Sequence, residues 1–410
     1  MEEKLFVSYE DFGAVGDGVN DDLPAIVKAH EYANEKGLPV RAKDGATYYL
    51  GGKKLWAVIK TNTDFGKAKF VIDDRVLEDR TSPIFRVESS FPTYNAEITS
   101  LKAGQTKIDF PHEGRVFVRI ANGENKIFIR YGENANSGVD RAECFVVDGE
   151  GNIENKITWD YPTVTRATAK RIDDEPIVIE GGTFTTIANQ WERVYAYHNR
   201  GFMITRSNVT IQNVQHFIEG EGEDGAPYAS FFGLTECVDV TIQDCLLTPH
   251  KTYKTKDSNE TYVNRMGTYE LGFNYAIRPK LIRVTQSRDI TDTAYWGLIG
   301  TNFCKEIYIE SCEMSRFDAH MGVVGTTIKN SKIGHQNLSI IGFGDFYIEN
   351  SYIIGYAFVA LRGDYGSLWD GTITIKNCVW QPTSQRLTVI HASNHGEHNF
   401  GYISKMPENI

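Results

Sequence analysis

The chain has 410 residues, 41% hydrophobic and 24% charged, the balance of a folded protein with a large core rather than a disordered one. A net charge of −11 and a pI near 5.5 argue against nucleic acid or an anionic membrane as partner, since both select basic surfaces, yet they leave room for a local basic cleft. No run of about 18 apolar residues could insert into a membrane, and MEEKLFVSYEDF has no signal-peptide core, so the protein is either cytoplasmic or, if a leader has been removed, secreted or periplasmic.

Near the N-terminus, DFGAVGDGVNDD (11–22) precedes LPAIVKAHEYANEK (23–36) and Gly37. The second part is predicted to be a helix. Asp22 stands where a cap belongs, Pro24 is tolerated in the first turn, Ala25, Ile26, Ala29 and Ala33 form an apolar stripe, and Gly37 ends it. DFGAVGDGVNDDLPAI resembles the opening motif of the pectate lyase-like superfamily of right-handed parallel β-helix proteins, which includes polysaccharide lyases, polygalacturonase-type hydrolases, epimerases and phage tailspikes. The resemblance implies a single all-β solenoid over 1–410, with residues 1–40 capping its open end. It also makes Asp17, Asp21 and Asp22 turn and cap residues rather than a metal cluster.

Between 40 and about 200 the pattern is less regular. K67-A-K-F-V-I-D-D and V177-I-E-G-G-T-F-T-T read as early coils, and about 95–170 reads as an inserted or decorated region. From about 200 to 395 one theme recurs: T210-I-Q-N213, T241-I-Q-D244, L281-I-R-V284, Y308-I-E-S311, T327-I-K-N330, Y347-I-E-N350 and T374-I-K-N377, in steps of 31, 40, 27, 19, 20 and 27 residues. Each copy alternates as a half-buried strand does, and the steps are too short for a helix in every unit, so the copies read as coils of a parallel β-solenoid. Asn, Asp or Ser at the end of six of these copies, all but the weaker L281-I-R-V284, suits a tight turn with left-handed backbone. Cys245, Cys312 and Cys378 directly follow that position and Cys237 and Cys304 sit seven residues before it. They read as registered core side chains rather than disulfides.

Downstream of the marks come ionisable and aromatic residues, coil after coil: Glu219, Glu221, Glu223 and Asp224; His250, Lys251 and Tyr253; Asp292, Tyr295 and Trp296; Arg316, Asp318 and His320; His335; and Tyr356, Arg362, Asp364 and Tyr365. Polar turns alone would favour Lys, Glu, Ser and Asn. This row favours the types used for catalysis and for gripping sugars. In SRFDAHMG (315–322), strand alternation places Arg316, Asp318 and His320 on one side.

An elongated groove along stacked coils suits a polysaccharide or oligosaccharide. Tyr228, Tyr253, Trp296, Tyr365 and Trp369 are candidates for stacking on sugar faces. Glycoside hydrolysis is the leading expectation, with Asp292 and Asp318 on adjacent coils as acid and base, and His320, His335 and Arg362 beside them. The order Asp292, Asp318, His335, Arg362 resembles that of polygalacturonase-type hydrolases, and I333-G-H-Q is similar to their Gly-His-Gly. The family's Asn-Thr-Asp and Asp-Asp motifs are absent, and L361-R-G-D stands in place of Arg-Ile-Lys. β-Elimination on a uronate, or epimerisation, is the second expectation, with His250 or Lys251, or His320 with Arg316 and Arg362, as base and neutralising cation. No cofactor is expected for a hydrolase. For a lyase, Ca²⁺ on the acidic Glu219–Asp224 loop would be the candidate. Non-catalytic glycan binding, as in a tailspike or adhesin, is the third expectation, and a homo-oligomer stays open.

Overall fold

A computed structural model describes residues 5–132, 134–192, 196–256, 262–394 and 398–410. The residues that end the repeat are the ones that turn the chain. Asn213, Asp244, Ser311, Asn330, Asn350 and Asn377 all have φ between 50° and 57°, the left-handed conformation that short polar side chains tolerate best. In the remaining copy the turn falls on Arg283 (φ 51°) rather than Val284. Leu281 pairs with Ile242 and Ile282 with Gln243, so the register is K280-L-I-R283, one residue earlier than the sequence pattern suggests. Arg283 then forms a two-pronged pair with Asp244 on the coil before it, at 2.6 and 2.8 Å.

These turns join three parallel ladders into a right-handed parallel β-helix. The first ladder contains 209–212, 240–243, 280–282, 305–310, 326–329, 346–349 and 373–376. The second runs from Gln215–Glu219 to Val379–Pro382. The third contains Phe202–Ile204, Phe232–Thr235, Leu271–Asn274, Ile299–Asn302, 317–321, 338–340, Ala357–Leu361 and Thr388–His391. Strands at 63–73 and 177–187 extend the first two ladders towards the N-terminus. Inward residues of all three faces form one continuous core, in which Phe65, Phe70, Phe85, Phe184 and Phe202 pack as an aromatic column. Cys237, Cys245, Cys304 and Cys312 lie in that core as buried free thiols.

The helix Leu23–Lys36 covers the N-terminal end of the stack, burying Leu23, Ala25, Ile26, Ala29 and Ala33, and Gly37 (φ 66°) terminates it. Asp22 occupies the cap position but its carboxylate points backwards, accepting from the amides of Val15 and Gly16. Asp21 accepts from the Leu23 amide instead.

Strands Thr93–Asn95, Val116–Ile127, Val139–Val147 and Arg166–Arg171 form a separate four-stranded antiparallel sheet with its own core around Val118, Phe145 and Tyr161. This inserted sheet docks on the turns between the third and first ladders. Arg119 pairs with Glu236 and lies 3.9 Å from the Tyr275 ring centroid. Arg115 reaches Asp239, and Asn155 donates to Glu306. Lys305, almost fully buried, donates to Glu143 at 2.7 Å. The loop after Val116–Ile127 then crosses the outer face of the third ladder.

Candidate active site

Alternation on the third ladder decides what faces outward. Phe317 and Ala319 are in the core, so Asp318 points away from it, on a row with Gly272, Gly300, Ser339 and Ala360 of neighbouring coils. The glycines let neighbouring groups close directly onto that row. A Cβ at Gly300 would come within 2.8 Å of the Tyr269 ring, and one at Gly272 within 2.9 Å of the Ala229 carbonyl oxygen. At the next position the pairing slips, from Thr301 opposite Ala319 to Asn302 opposite Met321. His320 is the extra residue, a bulge of the kind that re-aims a side chain. The result is a cleft of about 340 Å³ lined by Arg316, Asp318, His320, Arg362, Trp296, Tyr269, Asn274, Asn302, Arg130 and Asn134, among others. A second cavity of about 430 Å³ shares Arg316 and Arg362 and adds Tyr131, Tyr356, Asp364 and His391.

Asp318 is fully buried and held by two guanidiniums, Arg316 Nη2 at 2.8 Å and Arg362 Nη1 at 2.8 and 3.0 Å. Burial pushes its carboxyl up, but the Arg316 and Arg362 charges outweigh that and hold it far below the usual carboxylate range. It is therefore a permanent anion that fixes two cations. Arg362 is shared with Asp364, donating to it through Nε at 3.2 Å and Nη2 at 2.7 Å. Arg316 also donates to Gln336 and lies 4.7 Å from the Trp296 ring centroid. Its buried Nε has no hydrogen-bond partner among the described residues.

His320 is the neutral member of the cluster. Burial, then the nearby Arg362 charge, brings its pKa down to about 3. Asn302 donates through Nδ2 to Asn274, which orients the Asn302 oxygen to accept from His320 Nδ1 at 2.7 Å. Nε2 then carries the lone pair, 3.1 Å from the Tyr365 hydroxyl. The Tyr269 phenol keeps its proton, because burial and the Asp318 charge raise its pKa.

Of the residues singled out in the sequence, Arg316, Asp318, His320, Arg362 and Trp296 meet in the first cleft, and Asp364 lines the second cavity. Asp292 is exposed, accepts from the Ala294 amide on its own turn, and lies outside the cleft lining. His335 bonds the Ile290 carbonyl, also outside the lining. Tyr365 is 1% exposed and acts through His320. Trp369, Tyr228 and Tyr253 are buried too, so of the aromatic candidates Trp296 reaches the cleft.

His250, Glu221 and Tyr253 belong to a different structure, a buried chain in which Thr186, His216, Glu270, His250, Glu221 and Tyr253 follow one another. Burial opposes the charge on His250, but Glu221 and Glu270 raise its pKa to about 9. Glu221 also accepts from the Lys251 amide, and Lys251 Nζ donates to the Gly222 carbonyl, so the group pins the 219–228 loop. Glu219 and Asp224 are exposed on that loop. Among the described residues no group of three His, Cys, Asp or Glu side chains is arranged to hold a metal ion.

The sequence reading did not include Arg130, Asn134, Tyr269, Asn274 or Asn302. Arg130 and Asn134 come from the inserted sheet's loop, distant in sequence from the coils they face. The two coil asparagines did leave a signal: L271-G-F-N274 and I299-G-T-N302 repeat a Gly-x-Asn ending at equivalent positions, where Phe232–Thr235 has Gly and Thr.

No family model matches the chain. It is 20% identical to the capsule KL64-specific depolymerase of Klebsiella phage P510 over an alignment of 421 positions, covering 91% of this chain and 36% of that protein. The chain thus spans about a third of the length of this curated relative. Among solved structures it is similar to the endo-xylogalacturonan hydrolase of Aspergillus tubingensis, with 10% identity, 98% of this chain and 99% of that one covered, and a TM-score of 0.39. It is also similar to the tailspike gp61 of Pseudomonas phage phi297, with 11% identity, 94% and 82% covered, and a TM-score of 0.37. At these identities the likeness is one of fold.

Proposed function

We propose that the chain cleaves an anionic polysaccharide by β-elimination beside a uronate carboxylate. The observation that carries this reading is the charge of the cleft: three guanidiniums, Arg130, Arg316 and Arg362, stand against two carboxylates, Asp318 and Asp364, a local excess of positive charge in a chain whose net charge is −11. An uncharged sugar gives no reason to gather buried cations. A uronate does, and elimination further requires that its carboxylate be neutralised so that the neighbouring C–H becomes acidic. Arg316 and Arg362 would supply that charge, with Asp318 fixing both. His320, neutral and with its Nε2 lone pair released from the Tyr365 hydroxyl, would accept the proton from the carbon α to the carboxylate. An anion bound beside it would raise its pKa towards the working range. The glycosidic C–O bond at the β carbon then breaks, and the Tyr269 hydroxyl, which lines the cleft, would protonate the departing oxygen. The capsule depolymerase relative is consistent with a polysaccharide partner.

Hydrolysis is the second reading. Asp318 and Asp364 flank Arg362, one in each cavity, and a substrate that drew Arg362 away would leave two carboxylates for acid and base work. The test is product chemistry on polygalacturonate, polyglucuronate and alginate. Elimination yields the ultraviolet absorbance of an unsaturated uronate together with new reducing ends. Reducing ends without that absorbance would favour hydrolysis, and retention of polymer with neither would favour a binding module.

A further inference from the structure

We infer that the inserted antiparallel sheet is the specificity-determining part of this site, through a loop that walls both cavities and makes them adjoining sugar subsites. The inference rests on the uronate reading above. At the end of Val116–Ile127 the chain turns at Phe128 (φ 53°), which is buried against Phe303, Phe343 and Tyr402. From that anchor the next residues are placed firmly. The Tyr131 amide donates to the Asp364 carbonyl at 2.8 Å, and Asn136 closes the loop by accepting from the Arg130 amide. The loop then divides its side chains. Arg130 and Asn134 face the first cleft, while Tyr131 and Gly132 face the second cavity.

Each side of the division has its own chemistry. Arg130 lies 3.0 Å from Asp364 and adds a third cation beside Arg316 and Arg362, at the edge of the first cleft rather than in the Asp318 clamp. It is therefore placed to choose the anionic group of the sugar, not to hold Asp318 in place. Tyr131 and Tyr356 are 37% and 45% exposed, unusual for large aromatics in this molecule, and both line the second cavity. Such faces stack on the apolar side of a sugar ring. Because the cavities share Arg316 and Arg362, a polymer crossing that pair would place one uronate in the first and its neighbour against the tyrosines.

The test compares wild type, Arg130→Gln, Arg130→Lys and Tyr131→Ala on four-residue oligomers of galacturonate, glucuronate and mannuronate, with the single uronates as inhibitors. Arg130→Gln is expected to lower kcat/KM by about tenfold to a hundredfold, mainly through KM, and to weaken single-uronate inhibition similarly, the loss of one bond to a charged group. Arg130→Lys should recover part of it. Tyr131→Ala should lower kcat/KM on oligomers by about three- to tenfold, with a smaller effect on single-uronate inhibition. If wild type cleaves an oligomer and the Arg130 variants keep its KM, the inference fails while the uronate reading stands. If Tyr131→Ala weakens single uronates as much as oligomers, the second cavity is not a separate subsite. If wild type neither cleaves nor binds any of these probes, both readings fall together.

Discussion

Asp318 and His320 sit two residues apart on one strand, and one is held charged while the other is held neutral. Asp318 stays ionised because two arginines outweigh its burial, and His320 stays neutral because one of the same arginines adds to its burial. Removing the shared anion should therefore act on folding as well as chemistry. Asp318→Asn leaves Arg316 and Arg362 buried without their common partner. A loss of about 3–5 kcal/mol is expected in urea unfolding, the usual result of breaking a buried ion pair. A variant of wild-type stability would mean that solvent or Asp364 already compensates the arginines. Much of this cluster was legible from the i, i+2, i+4 spacing in SRFDAHMG. The role of Asp318 was not. Whether a carboxylate works as an acid depends on which cations fold against it, and Arg362 arrives from two coils further on.

Among the elements, the buried Glu270–His250–Glu221 chain ties the third-ladder strand edge to the 219–228 loop. Its imidazolium has a folded pKa of about 9 against an ordinary 6.5, so its contribution to stability is complete below about 6.5 and is lost as pH rises through about 9. That contribution is on the order of 3 kcal/mol. Wild type should lose melting temperature between pH 7 and 10 more steeply than His250→Gln (pH range set by the pKa values above). Parallel curves would contradict a charged His250. The inserted sheet is held by the buried Lys305–Glu143 pair. Lys305→Ala strands the Glu143 carboxylate and should cost about 3–5 kcal/mol, with faster hydrogen exchange concentrated in residues 116–147. Exchange unchanged in that sheet would show that its aromatic contacts dock it alone. The coils were readable in the sequence because a left-handed turn accepts few residue types. The exception is the copy read as L281-I-R-V284, where the true turn is an arginine held by a neighbouring coil's aspartate.

For the whole molecule, the β-helix supplies a rigid row of outward positions about 4.8 Å apart, and the site arises where glycines let Tyr269 pack onto that row and the insertion walls it. The first component is periodic and could be anticipated. The second is antiparallel pairing between segments tens of residues apart, which no local spacing encodes, and it brings Arg130 and Asn134 to a cleft otherwise made by residues after 196. An acidic chain with a cationic cleft should discriminate by the charge of its substrate. The most direct measurement follows unsaturated product from a uronic polymer that the chain cleaves and from the same polymer with its carboxylates reduced to alcohols. Formation of the product from the native polymer, and no cleavage of the reduced one, is the expected result. Cleavage of both at similar rates would contradict a site built around a uronate carboxylate.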